Sequence, residues 1–347
     1  MSVVFLGTSE FAAAVLERLS REPAQRPALV LTRPDRPSGR GRRLAAPPVA
    51  DCARALGLPL VQPEDVNGVE ARALIAAAGD AGAAAGQMPG EGGATGASQG
   101  RQTVVVCAFG ALLTEPLISE HDLLNLHPSL LPRWRGAAPI ERAIMAGDSE
   151  TGVSIMRLTA GLDSGPVCLT GVAPIAAGDT YGTLAERLQE LGGELLVRAL
   201  AESPPFVEQP PEGITYAEKI LAADRLLDPS RSAVELERVV RALSPHIGAR
   251  LTLPDGTLLG VHRAALVEPS VGSEEREAGG DPPGAAPWLG AEAGSGAGAG
   301  AGVVAHEGRL MLDCSPGLLE LLEVQPPGAR AMDGAAYLRG HGAPGRL

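Results

Sequence analysis

Val3-Val4-Phe5-Leu6-Gly7-Thr8-Ser9-Glu10-Phe11 begins with four apolar residues and stops at a glycine followed by two hydroxyls. The period then changes: Phe11, Val15, Leu16 and Leu19 fall on one face of a helix, and Ser9 stands where a cap belongs. A short buried strand passed through a tight turn into a helix is the repeating unit of an α/β fold. The same pattern continues outward. Residues 28–31 read as a second strand and 47–56 as a helix with proline at its start. Residues 104–108 and 123–126 read as buried strands, 138–146 as a helix, 153–158 as a strand and 183–201 as a long amphipathic helix. Strands alternating with helices imply a mostly parallel sheet covered on both faces.

Two stretches break the pattern. Residues 79–100 and 273–302 are rich in Ala and Gly and show no period, so both read as flexible surface insertions. Around 202–213 the composition shifts to Ser203-Pro204-Pro205 and Pro210-Pro211, as at many domain boundaries. The expected organisation is one domain over 1–202, a linker over 203–213 and a second domain over 214–347. The second has one helical stretch, 233–243. Short strand-like runs follow at 250–253, 258–262, 303–305, 310–312 and 318–324, suggesting a small β-barrel.

At ~100–200 residues per domain, 347 residues also suit two domains. The apolar share of 45% permits a packed core, and an aromatic share of 3% means that aliphatic side chains must fill it. A net charge of −12 weighs against non-specific nucleic-acid binding but leaves room for a local basic patch. Lys219 is the single lysine among 29 basic residues. Cys52, Cys107, Cys168 and Cys314 form no C-x-x-C pair, so neither a disulfide framework nor a zinc site is expected, and a reducing cytoplasm fits. No apolar run reaches the ~20 residues of a membrane span, and no leader pattern is read at the start.

Three segments carry possible chemistry beyond the first turn. That turn lacks G-x-G-x-x-G, which counts against a dinucleotide-dependent oxidoreductase and leaves a plain strand-to-helix turn. Residues 32–43 hold five arginines and one acid among prolines and glycines. The expectation is an irregular, exposed loop whose guanidinium forks suit phosphate and base edges; a solvated charged loop is the alternative. The run Asn125-Leu126-His127-Pro128-Ser129-Leu130-Leu131-Pro132-Arg133-Trp134-Arg135-Gly136 places Asn125 and His127 two apart at the end of a strand, on one face. Ligands bind at the carboxyl ends of strands in such sheets. Asn offers a donor to a developing oxyanion and His carries a proton at neutral pH, although a structural histidine at a strand end fits as well. Asp163, in Leu162-Asp163-Ser164-Gly165, follows another strand and could reach His127, though a turn also favours Asp for conformational reasons.

In this order the motifs resemble the methionyl-tRNA formyltransferase family. The resemblance rests on Gly7-Thr8 with Phe11, the 34–43 loop, Ala108-Phe109-Gly110, Asn125 through Ile140 and Glu150-Thr151-Gly152-Val153. It continues with Gly161-Leu162-Asp163-Ser164-Gly165 and Tyr216-Ala217-Glu218-Lys219. Asn-x-His and Leu-Asp-Ser-Gly are shared among folate-dependent formyltransferases, and the arginine loop resembles the tRNA enzyme. The resemblance implies a Rossmann-like formyltransferase domain followed by an OB-like, tRNA-binding barrel. It implies transfer of the formyl group of 10-formyltetrahydrofolate to the amino group of methionyl initiator tRNA, for translation initiation. It assigns Asn125, His127 and Asp163 to catalysis, and Ser129, Leu130, Leu131 and Pro132 to folate. Arg36, Arg40, Arg42 and Arg43 fall to tRNA. No metal, tightly bound cofactor or membrane is expected, and the expected state is a cytoplasmic monomer. A formyltransferase for a small amine and a non-catalytic RNA-binding protein on the same scaffold are the other readings. The first needs neither the arginines nor the second domain, and the second has no use for Asn125, His127 and Asp163 together.

Overall fold

A computed structural model describes residues 2–38, 43–84, 101–267 and 302–346. The chain forms two compact units, Met1–Leu221 and Ala222–Leu347.

The first unit is built on seven strands. These are β1 (Val3–Gly7), β2 (Leu29–Leu31), β3 (Leu60–Val61), β4 (Thr103–Cys107), β5 (Asp122–His127), β6 (Glu150–Arg157) and β7 (Val167–Pro174). Their order is β7-β6-β5-β4-β1-β2-β3. The five strands from β5 to β3 are parallel, and β6 and β7 are added antiparallel at one edge. The helices are α1 (Glu10–Ser20), α2 (Pro48–Ala55), α3 (Val69–Ala84), α4 (Pro139–Ala146) and α5 (Tyr181–Glu202). Val3, Val4, Phe5 and Leu6 are fully buried, as a central parallel strand requires. The Ser9 side chain accepts the Ala12 N–H and caps α1, the device its position suggested.

One face of the sheet packs Leu6, Leu31, Val104 and Leu123 against Ala71 and Ile75 of α3. On the other, α5 passes so close to β5 that a Cβ at Gly192 would meet the Leu126 side chain at 2.9 Å.

Two expectations are corrected here. The segment at 79–100 is not aperiodic throughout, because α3 continues to Ala84. Buried Ala71 and Ile75 anchor that helix, and the alanines beyond extend it at little cost. Residues 85–100 lie outside the described residues, as do 268–301, which include nearly all of the second insertion. The arginine segment is not irregular. Arg36–Ser38 pairs antiparallel with Arg43–Ala45 in a two-stranded ribbon apart from the main sheet. In such a ribbon Pro37 can face outward, where its missing N–H breaks no ladder bond. Near its base, the Gln62 side-chain amide donates to the Arg33 carbonyl (2.9 Å) and the Asp35 carboxylate (2.7 Å).

The Pro-rich stretch after α5 lies along the first unit. Val207 forms an antiparallel bridge with Val167, and Tyr216–Ala217 pairs in parallel with Arg135–Gly136.

The second unit is an antiparallel sheet under a helix. Strands β8 (Ala249–Thr252), β9 (Leu258–Leu266), β10 (Gly302–His306), β11 (Arg309–Asp313) and β12 (Leu318–Gln325) take the order β8-β9-β12-β11-β10. Helix α6 (Ala233–Ala242) starts in a capping box between Ser232 and Glu235, and it buries Leu236, Val239 and Val240. No helix among the described residues is long and apolar enough to cross a membrane.

Asp179, just before α5, accepts the Ala176 N–H (2.8 Å), the Thr183 hydroxyl (2.9 Å) and two bonds from the Arg187 guanidinium (2.8 and 3.1 Å). Arg187 first, then these hydrogen bonds, hold its carboxyl below the usual carboxylate range. A depressed folded pKa gives stability that is present above the unfolded value near about 4 and lost as pH falls through the folded one. Asp179→Asn is expected to cost about 1–3 kcal/mol in urea unfolding at pH 7, with the gap to wild type closing toward about pH 2. An equal gap at both pH values would sink this account.

Candidate active site

Alternation along β5 sends Leu124 and Leu126 to one face and Leu123, Asn125 and His127 to the other. Leu123 belongs to the core under α3, and the same face turns polar toward the carboxyl end of the strand. The chain leaves the neighbouring strand ends in tight turns: Thr8 donates its hydroxyl to the Phe109 carbonyl (2.7 Å), and Ala108 takes a left-handed φ of 42°. Asn125 is buried, and among the described residues its side-chain amide has no protein hydrogen-bond partner.

His127 is 4% exposed. Its Nε2 lies 2.8 Å from the Trp134 carbonyl, which can only accept, so Nε2 carries a hydrogen whether the ring is neutral or charged. The other ring nitrogen is Nδ1. That nitrogen faces the Asp163 carboxylate with 3.7 Å to Oδ2, too long for a direct hydrogen bond and short enough for an ion pair. The sequence placed His127 and Asp163 on separate strand ends, and the fold brings them together.

Asp163 sits on backbone with φ 42°, a left-handed conformation that costs a non-glycine residue about 1 kcal/mol or more. The surrounding chain holds it there. The Gly136 N–H donates to Asp163 Oδ2 (2.8 Å). The Gln209 amide donates to the carbonyls of Asp163 and Gly165, both at 2.8 Å. Gln209 Oε1 in turn accepts from the buried Arg135 guanidinium through Nε (3.0 Å) and Nη2 (2.7 Å). Gly136 needs to be glycine: its φ is 124°, and a Cβ there would meet the Ala217 carbonyl at 2.7 Å.

Upstream, Trp134 is also left-handed (φ 62°). Its N–H donates to the Thr215 hydroxyl (2.9 Å) and its Nε1–H to Asp148 (2.8 Å). Arg133 forks onto Asp148 (2.8 and 2.6 Å), a bond that raises its guanidinium pKa, and lies 4.5 Å over the Trp134 ring. Sequence reading missed Gln209, Thr215 and Asp148. Arg135 and Trp134 stood inside the quoted motif without a role. Gln209 gave no signal, because it lies among prolines that read as a linker.

The segment 129–132 is shaped largely by its own bonds. Ser129 is fully buried, and its hydroxyl donates to the Arg133 carbonyl (2.6 Å). Ser154 donates its hydroxyl to the Ser129 carbonyl (2.8 Å) and accepts the Leu131 N–H (3.2 Å). Leu130 lies over Gly152, where a Cβ would strike both Leu130 Cδ2 and the Gly171 carbonyl. Leu131 lines a shallow cleft of about 230 Å³ with Val167, Leu169, Val207 and Gln209. Pro132 is half-buried. Arg36 and Arg43 are exposed on the ribbon; Arg40 and Arg42 lie outside the described residues. Among the described residues no group of three His, Cys, Asp or Glu side chains could hold a metal ion.

Comparison with known proteins agrees with this architecture. Residues 1–200 match the formyl transferase family and 219–342 the formyl transferase C-terminal domain. A solved N-formyltransferase from Helicobacter canadensis, in complex with folinic acid and dTDP-3-aminofucose, shares the fold. Its TM-score is 0.58 at 12% identity, over 92% of this chain and 98% of that one. Identity is much higher to two methionyl-tRNA formyltransferases. The protein from Dechloromonas aromatica (strain RCB) is 37% identical over 98% of this chain and 96% of its own length. That from Gluconobacter oxydans (strain 621H) is 38% identical over 99% and 98%. Matches of this extent across both units make the chain a member of the methionyl-tRNA formyltransferase family.

Proposed function

We propose that the chain formylates the α-amino group of methionine on initiator tRNA, with 10-formyltetrahydrofolate as donor, and that Asn125, His127 and Asp163 carry the transfer. The observation that supports these roles is a free amide and an imidazole two residues apart on β5, with a carboxylate 3.7 Å from the imidazole. The neutral amine attacks the formyl carbon, and the carbonyl oxygen becomes an oxyanion. The Asn125 amide, having no protein acceptor among the described residues, donates to that charge. The attacking nitrogen loses a proton as the folate nitrogen gains one when its bond to the formyl carbon breaks. His127 exchanges that proton at Nδ1, and Asp163 stabilises the imidazolium. Leu130, Leu131 and Pro132 offer apolar surface and backbone to the folate. The fully buried Ser129 supports this segment from within. Arg36, Arg40, Arg42 and Arg43 take the acceptor end of the tRNA. The reaction belongs with the translation machinery in the cytoplasm.

The direct test is incubation with 10-formyltetrahydrofolate and charged initiator tRNA, followed by detection of N-formylmethionine; no product would remove the reading. Asn125→Ala is expected to lower kcat by about 10²–10³-fold with tRNA affinity little changed, as measured by turnover beside filter binding. Arg36→Ala and Arg43→Ala are expected to weaken tRNA binding and to flatten the salt dependence of log K by about 0.7–0.9 per residue. Unchanged slopes would return the ribbon to a solvated surface feature. Arg40→Ala is expected to erase the preference between initiator tRNAs with open and closed first acceptor pairs while folate binding persists.

A further inference from the structure

We infer that Gln209 is a positioning residue for the reaction, which holds the Asp163 carboxylate toward His127 by clamping the backbone on which it stands. The inference deepens the reading of Asp163 given above and rests on it.

The geometry forms a closed circuit. The Arg135 guanidinium donates twice to Gln209 Oε1. The Gln209 Nε2 group spends one hydrogen on the Asp163 carbonyl and the other on the Gly165 carbonyl. The next N–H after Arg135, that of Gly136, donates to the Asp163 carboxylate. Gln209 thus uses both donors and both acceptor positions. Each of its contacts ends on the catalytic turn or on the residue before the one that bonds the carboxylate.

Asp163 needs such support because its φ of 42° is unfavourable for a residue with a Cβ. Two carbonyls captured by one amide fix the peptide units that follow Asp163 and Gly165, and the first of these adjoins the Cα that carries the carboxylate. Without the amide, the Gly136 N–H is the one hydrogen bond left to the carboxylate among the described residues, and the turn can relax toward a commoner conformation. Arg135, 8% exposed, would lose its acceptor too. The segment containing Gln209 is therefore part of the catalytic apparatus, although Gln209 touches neither substrate in this account.

The test is a double-mutant cycle in the full-length protein, with turnover measured at saturating folate and saturating charged tRNA. Gln209→Ala is expected to lower kcat by about 10- to 100-fold with both KM values held within about twofold. Gln209→Glu keeps the acceptor for Arg135 and loses both donors. It is expected to lose kcat to the same extent, and it serves if the alanine variant does not fold. In an Asp163→Asn background, where the carboxylate's role is gone, Gln209→Ala is expected to cost less than about threefold. The same loss in both backgrounds overturns the inference, as does wild-type kcat in either Gln209 variant. Wild-type turnover by Asp163→Asn itself would overturn the role of Asp163, and this inference with it. A deep loss in Asp163→Asn with additive behaviour of Gln209→Ala leaves that role standing and overturns only the clamp.

Discussion

The hydrogen bond from the Gly136 N–H to the Asp163 carboxylate joins two loops that leave the sheet from different strands. One follows β5 and the other follows β6. The bond requires a backbone at Gly136 that only glycine adopts easily, and it requires the Ala217 carbonyl to pass where a side chain would stand. The parallel pairing of Arg135–Gly136 with Tyr216–Ala217 supplies that close approach. The path of the chain after α5 thus decides where the carboxylate sits, and the carboxylate decides what His127 faces.

The site keeps several ionisable groups out of water, and it differs from a generic core in how fully they are satisfied. Arg135 has a neutral amide oxygen for partner, so its charge is solvated without being cancelled. Asp148 collects Arg133 and the Trp134 indole, which fixes the strained turn before Arg135. His127 is anchored through one nitrogen and faces the Asp163 carboxylate with the other. Asn125 stands apart, with an amide that no protein group accepts among the described residues. A polar side chain buried without a protein partner stands out beside neighbours so well satisfied, and it is the contrast on which the proposed oxyanion role of Asn125 rests.

Much of this was legible in the sequence. The switch from period 2 to period 3.6 at Gly7 marks β1 and α1, and the i, i+2 spacing puts Asn125 and His127 on one face because a pleated strand allows nothing else. What failed did so for physical reasons. β7 is an edge strand with a bulge between Val167 and Leu169, so no clean alternation marks it. α3 is poor in large apolar residues beyond Ile75 and left little period to read. The pairing of Arg36–Ser38 with Arg43–Ala45 is local and short, in a segment whose prolines and glycines point to irregularity. Gln209 is the clearest case. Its role depends on two carbonyls 44 and 46 residues away, and carbonyls have no sequence identity to recognise.

The bare backbone under Leu130 limits how sequences of this kind can drift. Gly152 and Gly171 are near neighbours across β6 and β7, and Leu130 rests where a Cβ at 152 would stand. Trimming Leu130 leaves a gap but breaks no backbone, so that exchange is open. The reverse order is closed, because a methyl at 152 meets the Gly171 carbonyl however small residue 130 becomes. At Gly171 a Cβ would press on Leu191 and Leu195 at 2.9 Å, flexible side chains on α5 that can yield. Substitution across this patch therefore has a direction. As far as packing decides, Leu130 and the helix residues can vary first, position 171 only after them, and position 152 not at all while the two strands stay paired.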